Sequence, residues 1–267
     1  MSQIPEMLRQ KILSSRSKDP QGAEIYKHII QIKNDIELRD KTLKAVSNAS
    51  TDFGCGELTL LCDFYGSDKG SLSKSNNKQP YYPMPPHTYT DVYEALFYKM
   101  RNTVKFVFEC GIGSNKWHGY SNSYKPGASL RVWRDFFPYA HVFGGDIDRD
   151  VLFSEERIST FWIDQTVPES IDAFFKKCDV HQFDIMIDDG LHTYSAAYCL
   201  FANSFKYLSV GGWYIIEDLS PEAIALFCRE IISRTDIVTK YFIMETPSCA
   251  PNSMIAINKL HASGVMK

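Results

Sequence analysis

The 267-residue sequence predicts an α/β fold with a mostly parallel, seven-stranded sheet, helices on both faces, and an N-terminal helical extension. Two observations support this prediction. From residue 104 onward, short apolar runs typical of buried strands alternate with helical segments. Over the first 50 residues, by contrast, the one glycine is Gly22, and isoleucines recur at helical spacing. We therefore divide the chain into an extension at 1–56 and a main domain at 57–267.

The extension carries one apolar stripe, formed by Ile25, Ile29, Ile32 and Ile36. This stripe is too short for a long coiled coil. The extension is therefore either a helix packed on the main domain or an arm through which the protein forms a homo-oligomer. Between the extension and the first strand, the sequence predicts helices at 58–65 and 90–100, with a polar and Tyr/Pro-rich surface loop at 71–86.

The main domain then alternates between strands and helices. The predicted strands are 104–110, 141–147, 159–163, 183–187, 213–216, 237–244 and 254–258. The helices between them are 130–137, 168–177, 193–208 and 221–234. A strand–helix–strand order produces parallel neighbours, so the first five strands are expected to be parallel and the last two to close the sheet as an antiparallel pair.

Composition excludes several classes of protein. The formal net charge is -3, which gives no electrostatic reason to expect a nucleic-acid partner. No apolar run approaches the roughly 18 residues of a membrane-spanning helix. Residues 1–15 lack the apolar core of a secretory signal. The seven cysteines form no C-x-x-C pair, so we expect reduced thiols and a cytoplasmic protein.

Nearly every predicted strand of the parallel part ends in acidic residues, whereas ordinary turns would carry a mixture of residue types. In open α/β sheets, ligands bind at the carboxyl ends of the strands. The sequence therefore predicts an acidic site at this edge of the sheet. The acids are Glu109, Asp146, Asp164, Asp188, Asp189, Glu217 and Asp218.

The first of these strand ends is the glycine turn ECGIG at 109–113. Gly111 and Gly113 let the backbone approach a ligand closely. A dinucleotide-binding turn would have a third glycine where this chain has Lys116. Glu109 suits a cofactor with a cationic amino-acid head better than a pyrophosphate. Asp146 would accept hydrogen bonds from both hydroxyls of a ribose, unless it is only a turn or helix-capping residue.

A second group of acids suggests a metal site. Asp189, Glu217 and Asp218 follow neighbouring strands, and three converging carboxylates repel one another unless a cation lies between them. Hard oxygen ligands suit Mg²⁺ or another divalent cation. His192 could act as the general base on a substrate hydroxyl. The alternative is that the two aspartates are turn or cap residues and that His192 is a surface histidine.

Segments spread over residues 58–220 together resemble the metal-dependent O-methyltransferases that act on sugar hydroxyls of macrolides. The segments are YGSDKG at 65–70, HxY at 87–89, ECGIG at 109–113, SLRxW at 129–133, GDID at 145–148, DQ at 164–165, DDGLH at 188–192 and GGxYxIED at 211–218.

The resemblance implies a Rossmann-like class I methyltransferase fold, S-adenosylmethionine as methyl donor, and Mg²⁺. It implies Asp189, Glu217 and Asp218 as metal ligands, with His192 as the base beside Asp189. The cofactor-binding residues that it implies are Ser67, Lys69, Glu109, Gly111, Gly113, Asp146, Gln165 and Asp188.

The expected reaction is methylation of a sugar hydroxyl on a nucleotide sugar, a surface polysaccharide or a natural-product glycoside. Two alternatives stay open at this point. One is an oxidoreductase or hydroxylase of the cephalosporin-hydroxylase-like group, which shares this resemblance. The other is an inactive methyltransferase-like scaffold that recruits a partner through its N-terminal helix.

Overall fold

The computed structural model describes residues 56–70, 89–114, 125–231, 233–243 and 253–260. The predicted extension at 1–56, apart from Gly56, and the predicted loop at 71–86 lie outside the described residues. The described α-helices are α1 (Glu57–Tyr65), α2 (Tyr89–Phe97), α3 (Ala128–Phe136), α4 (Pro168–Cys178), α5 (Tyr194–Ser204) and α6 (Pro221–Ile231). No described helix is both long and apolar enough to cross a membrane.

The strands form a single mixed sheet with the order β3-β4-β2-β1-β5-β6-β8-β7. In this sheet β4, β2, β1, β5 and β6 are parallel, whereas β3 and β8 each pair antiparallel with a neighbour. The strands are β1 (Phe106–Cys110), β2 (His141–Asp146), β3 (Ser154–Glu155), β4 (Ile158–Trp162), β5 (Phe183–Asp188), β6 (Leu208–Glu217), β7 (Ile237–Ile243) and β8 (Ser253–Lys259).

The predicted mostly parallel sheet is confirmed, with two corrections of detail. The sheet has eight described strands rather than seven, because β3 pairs with β4 at one edge. A strand of two residues is too short to show a hydrophobic period. The strand β6 also begins at Leu208 rather than at residue 213, since its pairing with β5 runs through an irregularity that absorbs Gly211 and Gly212.

Helices cover both faces of the sheet, as predicted. Alternate residues of β5 show the division, because Ile185 and Ile187 contribute to one buried cluster and Met186 to the other. The first cluster includes side chains of α1, α2 and α3, among them Trp133. The second includes side chains of α4, α5 and α6, among them Phe174. Three of the described helices therefore cover each face of the sheet.

The order of the strands reverses next to β1. From β1 the chain proceeds to β2 and β4 on one side, and it then returns to β5 and β6 on the other. This reversal opens a crevice at the carboxyl ends of β1 and β5, which is where open α/β sheets bind their ligands. Thr193 caps α5 directly after this edge by accepting a hydrogen bond from the backbone N–H of Ala196, so His192 lies at the start of a fixed helix.

We predict that Phe175→Ala lowers the free energy of unfolding by about 3–5 kcal/mol, because it leaves a cavity in the second cluster. Phe175 is 1% exposed, and its ring contacts those of Phe108 and Tyr207 at centroid distances of 5.0 and 4.6 Å. Urea unfolding measures the effect. The control is Leu226→Ala, which removes an exposed apolar side chain and should cost no more than about 1 kcal/mol. Equal losses for both variants would show that Phe175 is not a core residue.

Candidate active site at the carboxyl edge of the sheet

The glycine turn after β1 lies directly against the loop after β5. Gly111 and Gly113 have φ angles of 86° and 81°, in the left-handed region that glycine tolerates best. A Cβ atom on Gly111 would lie 2.0 Å from the backbone oxygen of Asp189, so no other residue fits there. The backbone N–H of Asp189 donates to the carbonyl oxygen of Cys110 at 2.8 Å. The two strand ends are thus fixed to each other by backbone contacts.

Asp146 ends β2 beside this turn. Its Oδ2 accepts a hydrogen bond from the backbone N–H of Ile112 at 3.0 Å, and its Oδ1 accepts one from that of Asp148 at 2.8 Å. Burial raises the pKa of Asp146, and these backbone donors oppose the rise. Each carboxylate oxygen keeps a second lone pair for a ligand hydroxyl. The ribose-binding role of Asp146 stays a prediction that this geometry permits.

Gln165 and Asp188 are buried against the loop that carries Asp189. The Nε2 of Gln165 donates to Oδ1 of Asp188 at 3.0 Å, and its Oε1 accepts from the backbone N–H of Leu191 at 2.7 Å. Among the described residues, Oδ2 of Asp188 has no hydrogen-bond partner, and burial raises the pKa of this carboxyl to about 6. Both residues are predicted to bind cofactor, and in the structure both order the loop between β5 and His192.

Lys69 brings a positive charge into the middle of the acidic edge. Its Nζ lies 2.5 Å from Oε2 of Glu217, 2.6 Å from Oδ2 of Asp189 and 3.4 Å from Oε1 of Glu109. The side chain is only 2% exposed. Burial opposes the charged ammonium, but the three carboxylates outweigh this effect and raise the pKa of Lys69 well above its usual value. One cation therefore contacts the ends of β1, β5 and β6.

The turn after α1 positions Lys69 in the site. Gly66 ends the helix in the left-handed conformation, with a φ of 75°. The carbonyl oxygen of Lys69 then accepts a hydrogen bond from the backbone N–H of Thr90 at 3.1 Å. Ser67, another predicted cofactor residue, is buried, and its Oγ lies 3.5 Å from the backbone nitrogen of Lys69. The YGSDKG segment thus shapes a turn that carries Lys69 into the site.

Two tyrosines of α2 hold the acids at the end of β6. The hydroxyl of Tyr89 donates to Oδ1 of Asp218, and that of Tyr93 donates to Oε1 of Glu217. Burial and the nearby carboxylates raise the pKa of both tyrosines, which keeps them as neutral donors. The sequence predicts no role for either residue, although Tyr89 belongs to the HxY segment at 87–89. Their spacing of four, which places both on one face because the helix begins one residue before the predicted 90–100, was the available signal.

Glu109 is fully buried beneath the glycine turn. Its Oε2 accepts a hydrogen bond from Nε1 of Trp133 at 2.8 Å, a contact that the sequence analysis also missed. Its Oε1 has no hydrogen-bond partner in the described part of the chain and faces Lys69. Burial raises the pKa of Glu109 to about 7, although Lys69 lowers it. The buried Oε1 is therefore held by its ion pair with Lys69.

Asp189, His192 and Asp218 form a group that could hold a metal ion. Each offers one ligand atom, and these atoms all lie within 4.8 Å of one another. Nε2 of His192 lies 3.9 Å from Oδ1 of Asp189. His192 and Asp218 have φ angles of 55° and 59°, a conformation that costs non-glycine residues free energy and is concentrated at functional sites. The two carboxylates are ligands that Mg²⁺ accepts, and the imidazole lies beside them, where it can reach a group bound there.

The structure thus brings two of the three predicted metal ligands together with the predicted base. The third, Glu217, is buried, and its two carboxylate oxygens contact Lys69 and Tyr93. Burial raises the pKa of Glu217 well above its usual value, and Lys69 opposes this rise. Its role as a metal ligand stays a prediction.

The chain is similar in structure to the methyltransferase of the mycinamycin biosynthetic pathway. The structure of that enzyme in complex with Mg, SAH and mycinamycin VI aligns with a TM-score of 0.55 at 24% sequence identity, over 78% of this chain and 56% of the other. The present chain has the Rossmann-like fold of class I methyltransferases. The predicted fold class is therefore confirmed.

The chain is also similar in sequence to sugar O-methyltransferases of natural-product pathways, which confirms the predicted resemblance. It is 35% identical over 158 residues to mycinamicin VI 2''-O-methyltransferase of Micromonospora griseorubida, covering 58% of this chain and 37% of the relative. It is 36% identical over 167 residues to a tetracenomycin-C rhamnosyl 3'-O-methyltransferase of Streptomyces olivaceus, again over 37% of the relative. The matches therefore span little more than a third of each relative. No protein-family model matches the chain.

We predict that Gly111→Ala abolishes binding of S-adenosylhomocysteine and lowers the free energy of unfolding by several kcal/mol, since the new Cβ collides with the backbone of Asp189. Isothermal titration calorimetry and urea unfolding measure the two effects. The matched control is Gly211→Ala, because Gly211 has a similar φ of 81° but nothing within 4 Å of a new Cβ. The control should lose only about 1–2 kcal/mol and keep cofactor binding. Similar losses in both variants would refute the close-contact explanation.

We also predict a pH effect from Glu109. Its pKa is about 7 in the folded protein and close to 4.5 in the unfolded chain, so the folded state binds the extra proton and loses stability as pH rises through 7. The difference in unfolding free energy between wild type and Glu109→Gln should therefore fall by about 2 kcal/mol from pH 5.5 to 8. Urea unfolding at several pH values measures it. A difference that does not vary with pH would contradict the raised pKa.

Proposed function

We propose that this protein is an S-adenosylmethionine- and Mg²⁺-dependent O-methyltransferase that acts on a hydroxyl of a sugar-containing small molecule. The observation that carries the proposal is the position of the Asp189–His192–Asp218 group, next to the glycine turn at the switch in strand order. The similar mycinamycin-pathway enzyme is described in complex with Mg and SAH, and the similar curated proteins are named as sugar O-methyltransferases. We assign this activity to residues 57–267.

The cofactor site that we propose extends along the ends of β1, β2 and β4. Glu109, which lies near the end of β1 beside the glycine turn, suits the cationic amino-acid end of the donor. Asp146 suits the ribose hydroxyls. Two large apolar side chains at the same edge, Ile147 and Leu191, are 56% and 58% exposed, and they offer an adenine ring apolar surface to cover. The sequence analysis did not identify these two residues.

The chemistry that we propose depends on His192 as the general base. His192 is 39% exposed and lies 3.9 Å from Asp189, so its imidazole can reach a substrate while the carboxylate orients the ring. Asp189 and Asp218, with Glu217 behind them, fit a Mg²⁺ ion. When bound, that ion lowers the pKa of the acceptor hydroxyl and fixes its orientation. His192 takes the hydroxyl proton, and the fixed strand ends align the acceptor oxygen with the methyl group of the donor.

For the acceptor, we propose a sugar hydroxyl on a natural-product glycoside, a nucleotide sugar or a polysaccharide precursor. The names of the relatives support the first of these, since two of them are named as O-methyltransferases of a rhamnosyl tetracenomycin C. These relatives are much longer than the matched region. Acceptor choice is therefore tested with a panel of all three classes.

The proposal predicts that methyl transfer from radiolabelled S-adenosylmethionine to a sugar in this panel is lost in EDTA and restored by Mg²⁺. It also predicts that His192→Ala lowers the rate by about 10²–10⁴-fold, because the general base is lost. The control is His181→Ala, since His181 is an exposed histidine in the turn before β5, at the opposite end of that strand. This control should keep full activity.

Binding measurements separate this function from the alternatives. S-adenosylhomocysteine should raise the melting temperature of the protein and NAD should not. Full activity in EDTA together with full activity of His192→Ala would refute the metal-and-base chemistry. Stabilisation by NAD alone would instead favour an oxidoreductase, and cofactor binding without transfer to any sugar would favour a scaffold.

A further inference from the structure

The ammonium group of Lys69 lies among the same carboxylates that a divalent cation would use. It contacts Asp189 at 2.6 Å and Glu217 at 2.5 Å. Asp189 is at the same time a member of the group whose ligand atoms converge within 4.8 Å. A divalent cation at this site and the ammonium group of Lys69 are therefore both attracted to the negative charge of Asp189.

The charges at this edge are unbalanced. Five carboxylates lie at the ends of β1, β5 and β6. Asp188 is hydrogen-bonded to Gln165, and Lys69 pairs with three of the other four. Glu217 and Glu109 also accept hydrogen bonds from neutral groups, which are the hydroxyl of Tyr93 and the indole of Trp133. These neutral groups donate hydrogen bonds to the carboxylate oxygens, but they do not neutralise the negative charge of the carboxylates. Lys69 is thus the group that limits the mutual repulsion of Glu109, Asp189 and Glu217.

We propose that Lys69 is a built-in counter-ion that keeps Asp189 and Glu217 together and competes with the divalent cation for them. The inference rests on the proposed function, because it assumes that the site binds such a cation. Its first consequence is that the acids keep their arrangement before any metal binds. Its second is that the metal is held more weakly than the number of carboxylates would suggest, since two like charges share one set of ligands.

The burial of Lys69 supports this role over a purely structural one. Its carbonyl oxygen is fixed by Thr90, and its side chain is 2% exposed. An apolar residue would fill such a position at a lower desolvation cost than a charged one. A lysine is favoured there when the surrounding acids must lie close together in order to bind a divalent cation. Asp189, which contacts Lys69 and belongs to the proposed metal site, is such an acid.

The test is a comparison of wild type with Lys69→Met, which keeps an unbranched side chain one atom shorter and removes the charged ammonium group. Calorimetric titration with Mg²⁺ should show a dissociation constant at least about tenfold lower in the variant. The melting temperature without Mg²⁺ should fall, and the rise caused by Mg²⁺ should be larger than in wild type. The matched control is Lys206→Met, which makes the same substitution at an exposed lysine paired with Asp172 and should stay within about threefold of wild type.

A double variant tests the inference in case Lys69→Met alone does not fold. Lys69→Met combined with Glu109→Gln removes one positive and one negative charge, and the acid that it removes is none of the predicted metal ligands. It should bind Mg²⁺ more tightly than Glu109→Gln alone. Equal or weaker Mg²⁺ binding on removal of Lys69, with wild type still binding the ion, would overturn this inference and leave the proposed function standing. If no variant binds Mg²⁺, the inference and the metal dependence both fail, while methyl transfer in EDTA decides whether the transferase function survives.

Discussion

The convergence of four carboxylates at one edge of the sheet is the constraint on which the rest of the structure depends. Parallel strands bring their carboxyl ends to the same edge, so Glu109, Asp189, Glu217 and Asp218 meet in a small volume and repel one another. Four of the described donors that compensate them come from one face of the sheet, namely Lys69, Tyr89, Tyr93 and Trp133. That face is covered by α1, α2 and α3 and contains the ring contact between Tyr93 and Trp133, with centroids 4.9 Å apart. Packing on this face therefore sets the geometry of the acids.

The two faces of the sheet have different roles, because one provides donors to the acidic site and the other forms an aromatic core. The second face is closed by α4, α5 and α6 over a dense set of aromatic rings, in which Phe108, Phe174 and Phe175 contact one another at centroid distances of 5.0–5.3 Å. It contributes few polar groups to the site and so supplies mainly stability. The helices α1 and α2 precede the first strand and lie outside the alternation that builds the parallel sheet. Their contribution to the site explains why a segment before the sheet, YGSDKG at 65–70, belongs to the resemblance.

The sequence predicts the elements and the location of the site well, because periodicity and strand-end acids are local signals. The sequence predicts less well the contacts between residues that are distant along the chain, because these contacts depend on the three-dimensional arrangement of the elements. Asp188 and Asp189 are adjacent and look equivalent, yet Asp188 hydrogen-bonds to the buried Gln165 and Asp189 pairs with Lys69, since neighbouring residues at a strand end diverge. The partners of Lys69 lie 40 to 148 residues away along the chain and could not be read from spacing. The contact of Tyr89 with Asp218, 129 residues away, was not predicted for the same reason.

The antiparallel strand β8 shows how a distant element can belong to the site. Asp218 holds a left-handed conformation with a φ of 59°, which is unfavourable unless its neighbours enforce it. Its backbone N–H donates to the carbonyl oxygen of Ser253 at 2.9 Å, and Oγ of Ser253 donates to the carbonyl oxygen of Leu219 at 2.6 Å. Tyr89 then reaches both the Asp218 carboxylate and the Ser253 carbonyl. Because the first residue of β8 fixes the backbone on either side of Asp218, the closing strand determines where that carboxylate can meet Asp189 and His192.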